Sequence, residues 1–104
     1  MTINVLGTEY EVILNATAEE FEALESCDGY CDWSSKTIVV RAEKLDDDAD
    51  KFEVFADKIL RHELIHAFLN ESGLQFDSEN ERMVDWMAIQ IPKMAKMFDE
   101  LGVM

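Results

Sequence analysis

His62-Glu63-Leu64-Ile65-His66 constrains this chain more than any other stretch. It spells H-E-x-x-H within a run of helical character, residues 52–72. On an α-helix, residues four apart share a face, about one turn from each other. Two imidazoles so placed can bind one metal ion, and Glu63 can point at the same ion without binding it. From there Glu63 can take a proton from a water that the metal activates. Neutral imidazole is a borderline ligand suited to zinc, and zinc lowers the pKa of its water to about 7. These two histidines are the only ones in the sequence. Metal ligands need rigid support to fix their aim, so the rest of the chain is expected to hold this helix in place.

The motif helix should begin near Asp50 and end before Gly73, a residue suited to the left-handed position just past a helix end. Phe52, Phe55, Ile59, Leu60, Leu64, Ile65, Phe68 and Leu69 make it apolar on more than one side, which predicts a central, buried helix. The acidic run Asp46-Asp47-Asp48-Ala49-Asp50 precedes it. That run lacks the glycine and closing glutamate of a calcium loop. Its charge suits the positive end of a helix dipole instead.

Ahead of the helix, residues 3–6 and 10–14 read as strands joined at Gly7-Thr8 in a hairpin. Thr17-Ala18-Glu19-Glu20 is a capping box, predicting a short helix through Leu24 with Phe21 and Leu24 on its buried side. Asp28-Gly29 is a turn, and residues 30–33 and 36–41 form a second hairpin across Ser34-Ser35. Thr37-Ile38-Val39-Val40 is the strongest strand signal and the candidate to take up an extended peptide as an added strand. After a connection over 73–77, Ser78-Glu79-Asn80-Glu81 opens a helix with Met83, Val84, Trp86, Met87, Ile89 and Ile91 on its apolar side. Pro92 removes a backbone donor and should kink or break that helix. Residues 93–101 resume as a last helix closed by Gly102, with Met94, Met97, Phe98 and Leu101 along one side. The six methionines read as core filling.

The 104 residues fit a single domain spanning 1–104, and 48% hydrophobic residues can supply one core. Nine basic against twenty-three acidic residues give a net charge of −14. Binding nucleic acid through its phosphates needs a basic surface, so that class is excluded, and anionic membranes with it. The plain reading of this charge is solubility, and the sharper one is affinity for a basic partner or a basic peptide substrate. No run of 18 apolar residues predicts a membrane span, and residues 1–4 lack the basic region and apolar core of a signal peptide. A cytoplasmic protein is the expectation. Cys27 and Cys31, spaced C-x-x-x-C, match neither a zinc ribbon nor a redox pair and read as small, partly buried thiols.

Two histidines do not complete a catalytic zinc site, which takes three protein ligands and leaves the fourth place to water. With no third histidine, a carboxylate must serve. Glu71, Asp77, Glu79, Glu81 and Asp85 are the near candidates. Ser78-x-x-Glu81 also reads as a capping box, in which Glu81 would bond the backbone amide of Ser78. Ligand and cap both stand open for Glu81.

Asn80-Glu81-Arg82-Met83-Val84-Asp85 resembles the N-E-x-x-x-D element that follows H-E-x-x-H in thermolysin-like peptidases, the gluzincins. Residues 62–92 also look like the small ImmA-like metallopeptidases of phages and mobile elements. These share the motif helix, a short connection and a glutamate-opened helix with a proline near its end. The resemblance implies that His62, His66 and Glu81 bind zinc. It makes Asp85 the residue that orients His62 through its other ring nitrogen, and Glu63 the base. It implies a zinc metallopeptidase making a limited cut in a regulatory protein such as a repressor. It also implies an α+β, zincin-like fold, with a small antiparallel sheet packed on the central helix and C-terminal helices covering the other side. The family's further histidine, which stabilises the tetrahedral intermediate, is missing, and Tyr10, Tyr30 and Arg82 are the substitutes available. The competing expectation is a non-enzymatic binding protein in which zinc staples a small fold.

Overall fold

The structure, a computed structural model, describes the backbone of residues 1–42 and 49–104 and the side chains of 1–42 and 56–104. The whole acidic run at 46–50, together with Phe52 and Phe55, lies outside the described side chains. Both expected hairpins are present. Strands β1 (Thr2–Val5) and β2 (Thr8–Ala16) pair antiparallel through a turn at Leu6-Gly7. Both turn residues have positive φ, 49° and 95°, the twist that suits a two-residue hairpin. Strands β3 (Gly29–Asp32) and β4 (Thr37–Arg41) also pair antiparallel. Their turn is held by Asp32 Oδ1, which accepts from the Ser34 amide at 3.0 Å and the Ser34 hydroxyl at 2.7 Å.

The sheet is mixed rather than antiparallel, which corrects the expectation. Its order is β1-β2-β4-β3, and β2 runs parallel to β4. Turn signals define each hairpin locally, but how two hairpins meet depends on the long connection between them. Here residues 17–28 cross one sheet face, and β4 then returns to lie beside β2. Between Ile13 and Ala16 the register shifts, with Asn15 at φ 55°. Three residues apart would put Ile13 and Ala16 on opposite faces of a regular strand. The bulge brings both to one face, packed with Leu24 and Val39.

Two small cores result, one on each face. Residues 17–28 cover the outer one. Half of the Thr17 box is made, with the Glu20 amide donating to Thr17 Oγ1 at 3.4 Å, while the Glu20 carboxylate accepts from the Thr17 hydroxyl at 3.1 Å, and no α-helix follows. Phe21 turns extended, at φ −133° and ψ 101°, and only a 3-10 turn forms over Glu22–Glu25. Phe21 and Leu24 still face the sheet, as expected. On the other face Val5, Tyr10, Val12, Ile38 and Val40 meet helix α1 (Ala49–Glu71) through Ala67, Ile59, Leu60 and Leu64. That helix ends as Gly73 predicts. Gly73 takes φ 83°, and the Leu74 amide bonds back to the Leu69 carbonyl at 2.8 Å.

A one-turn helix α2 (Gln75–Ser78) leads into α3 (Glu81–Glu100). The second helix thus starts later than expected. Asn80 is its N-cap, accepting from the Met83 amide at 3.1 Å. Helix α3 also runs unbroken past Pro92, where a break was expected. Pro92 cannot donate to the carbonyl of Ala88. Arg61 of α1 fills the vacancy, its Nε donating to Ala88 O at 3.0 Å. The proline's cost becomes a bond between helices. Val84 and Ala88 are the buried positions of α3, while Met1, Met94, Met97 and Met104 are exposed and Met83 and Met87 only partly buried, so core filling does not describe the methionines. Among the described residues, no helix is long and apolar enough to cross a membrane.

Candidate metal centre

Helix α1 carries His62 and His66 one turn apart, and their Nε2 atoms lie 3.2 Å from each other. Glu81, the first residue of α3, reaches both: Oε2 is 2.9 Å from His62 Nε2 and Oε1 is 3.0 Å from His66 Nε2. Ligands about 2.0–2.1 Å from a tetrahedral ion stand roughly 3.3 Å apart. The observed spacings match that within a few tenths of an ångström. His62, Glu63 and His66 also lie close enough together, within 4.8 Å, to hold a metal ion. Two imidazoles and a carboxylate are a donor set zinc accepts in catalytic sites. The residues present therefore fit a divalent metal.

The late start of α3 removes one of the two roles open to Glu81, the cap. Ser78 is not an N-cap, so Glu81 has no box to close. Ser78 is buried and its hydroxyl is 3.0 Å from His66 Nδ1 and 3.4 Å from the His66 carbonyl. With Nδ1 donating to Ser78, the Nε2 lone pair points at the other two ligand atoms. The capping-box reading concealed this role for Ser78, and nothing in the sequence pointed to it. Burial holds the His66 pKa below its usual value, although Glu81 opposes this, and a neutral imidazole is the form that binds metal.

Asp85 faces Nδ1 of His62 as the resemblance implied, but at 3.7 Å, longer than a hydrogen bond. Lys58 explains the gap. It stands four residues before His62 on the same helix face, and its Nζ holds the same Asp85 oxygen at 3.1 Å. Of the other carboxylates, Glu71 is paired with Lys36 at 3.2 Å. Glu79 lines the groove beside the centre.

Glu63 is buried, 7% exposed. Burial, reinforced by the charge of Glu81, pushes its pKa up to about 7. A carboxyl group poised there can both take and give a proton at neutral pH. Strand β3 packs against it closely. A Cβ on Gly29 would fall 2.6 Å from Ile59 Cγ2 and 2.9 Å from the Val39 carbonyl oxygen. Only glycine lets β3 approach the motif helix this closely.

Two cavities, about 330 Å³ and 570 Å³, meet over the centre and share Cys27, Gly29, His62 and Glu63. They form the two arms of one groove. The smaller continues past Asp28, Ile59, Lys58 and Asp85. The larger continues past Trp33, Asn70, Gln75, Glu79 and Glu81. Strand β4 cannot take up an added strand, because β2 and β3 occupy both its edges. Strands β1 and β3 are the edges of the sheet, and β3 borders the groove. Of the substitutes for the missing histidine, Tyr10 is fully buried in the core. Arg82 does not line either arm. Tyr30 borders the larger arm while packing with Leu24 and Val39 on the far sheet face. Cys27 and Cys31 are partly buried free thiols, and burial pushes Cys31 up to about 12. No protein-family model, curated protein or solved structure matches the chain.

Proposed function

We propose that the chain is a zinc-dependent peptide hydrolase of gluzincin type, with His62, His66 and Glu81 as ligands and Glu63 as general base. The observation that carries this is the convergence of three side chains, His62, His66 and Glu81, with nitrogen and oxygen atoms 2.9–3.2 Å apart, beside the buried carboxyl group of Glu63, which is placed to move a proton. When bound, zinc supplies a Lewis acid that polarises a carbonyl and brings the pKa of water to about 7. Glu63 then accepts the proton of the attacking water and delivers it to the leaving amine. Ser78 keeps the His66 ring aimed, and Asp85 with Lys58 flanks the His62 ring. An extended peptide lies along the open edge of β3, main chain to main chain, with its scissile bond over Glu63.

A zinc staple has no use for a carboxylate at position 63. Glu63→Gln therefore separates the two readings. Zinc-loaded wild-type protein should cut members of a peptide library followed by mass spectrometry. Glu63→Gln should keep its zinc and lose at least a hundredfold of the rate, since proton transfer contributes about 10²–10⁴-fold. Zinc-loaded wild-type protein that cuts nothing contradicts the reading and leaves the staple.

A further inference from the structure

The two arms of the groove differ in shape but share one electrostatic feature. In the smaller arm, Lys58 and Asp85 are closed on each other at 3.1 Å. That leaves Asp28, half-buried, as the arm's remaining charge besides Glu63. In the larger arm Trp33, Asn70 and Gln75 are neutral, and Glu81 is turned onto the histidines. Glu79 is its remaining charge. Among the described residues, neither Asp28 nor Glu79 has a side-chain ion pair. Among the described residues, each arm therefore presents one carboxylate without an ion pair, Asp28 in the smaller and Glu79 in the larger, and the two arms share Glu63. Trp33 adds a ring that already attracts an ammonium: Lys36 Nζ lies 4.7 Å from its centroid.

We propose that the groove selects an extended peptide with basic side chains on both sides of the scissile bond, Asp28 receiving one and Glu79 the other. This rests on the peptidase reading for the position of the bond, but the binding preference stands independently of turnover. Acidic side chains would face Asp28 or Glu79 and be repelled, and the surrounding −14 charge draws basic peptides toward the groove.

The test is binding of fluorescein-labelled octapeptide pools, uncharged except for one Lys, Arg, Asp or Glu at a fixed position. They are titrated by anisotropy onto zinc-loaded Glu63→Gln protein and onto wild-type protein with its metal chelated. Lys and Arg pools should bind about fivefold tighter than uncharged ones at two separate positions, the range of a partly exposed ion pair. Asp28→Asn should abolish the preference at one position and Glu79→Gln at the other. The double variant Asp99→Asn, Glu100→Gln removes the same two charges from the far end of α3 and should change neither position. Equal binding of all pools overturns the proposal. So does a preference that survives Asp28→Asn and Glu79→Gln, or one that the α3 control weakens equally. If the preference is found while zinc-loaded wild-type protein cuts no pool, the groove assignment holds and the peptidase reading falls.

Discussion

At the scale of single residues, the centre assigns different losses to its members. Glu81 touches both histidine nitrogens, so Glu81→Ala leaves two ligands and should reduce zinc affinity by more than a thousandfold, about 4 kcal/mol on the usual conversion. Asp85 stands off at 3.7 Å and shares itself with Lys58, so Asp85→Ala should cost about 10–100-fold at most. Competition with a fluorescent zinc chelator measures both, and equal losses would contradict the assignment. Glu63 gives a second prediction, for metal-free protein. Its folded pKa of about 7 lies above the ordinary carboxyl value of 4.5. The protonated form is the one the fold favours, so its contribution is full below 4.5 and is lost as pH rises through 7. Above that pH the buried carboxylate destabilises the fold. Glu63→Gln cannot ionise, so in chelator it should be more stable than wild type at pH 8, by on the order of 3 kcal/mol. At pH 4.5 the two should be close. Urea titrations at both pH values check this, and a gain independent of pH would contradict it.

At the scale of elements, β3 and α3 are placed by contacts that mutation can probe. Alanine at position 29 would meet Ile59 and the Val39 carbonyl, so β3 must move off α1. Gly29→Ala should cost about 1–3 kcal/mol by over-packing and disturb the groove edge. Denaturation and peptide-pool binding on the same variant would show it, and an unchanged variant would contradict the close approach. Arg61 offers a cycle. Arg61→Met strips the Ala88 carbonyl of its donor and should cost about 1–3 kcal/mol. In a Pro92→Ala background the helix can supply its own amide, so the same change should cost less. Additive losses would contradict the role given to Arg61. These elements also show what the sequence could reveal. Hairpins, the Gly73 stop and the H-E-x-x-H helix rest on local signals, and all stand where residue order puts them. The parallel pairing of β2 with β4 does not, because it is set by a crossing segment without regular structure. The unbroken α3 depends on Arg61, 31 positions before Pro92, a partner that periodicity along one helix cannot reveal. Ser78 escaped for a related reason: its capping motif was real as a pattern, but Asn80 won the cap and released the Ser78 hydroxyl to His66.

At the scale of the whole molecule, the centre joins elements that the chain brings together late. His62 and His66 come from α1, and Glu81 from α3 beyond the α2 turn. The metal would bind only where α1 and α3 are docked, so it should stabilise the fold by mass action, by about 4 kcal/mol at a thousandfold excess over Kd. The two cores on the sheet faces need no metal, so chelated protein should retain its far-ultraviolet circular dichroism and melt several degrees lower. Disorder on chelation would instead make zinc a staple. The histidine motif was legible as a candidate metal site from residue types and spacing alone, and the fold brings its side chains close enough together to hold an ion. The two-armed groove was not, since Asp28, Gly29 and Glu79 acquire their positions only when β3 and the α2–α3 corner close over α1. The most direct test of the account is a zinc titration of chelator-stripped wild-type protein, read by calorimetry with metal content checked by mass spectrometry. One zinc per chain should bind with sub-micromolar affinity, and His62→Ala and His66→Ala should lose it. Protein that takes up no zinc at micromolar concentrations, or binds it equally well without both histidines, would contradict this.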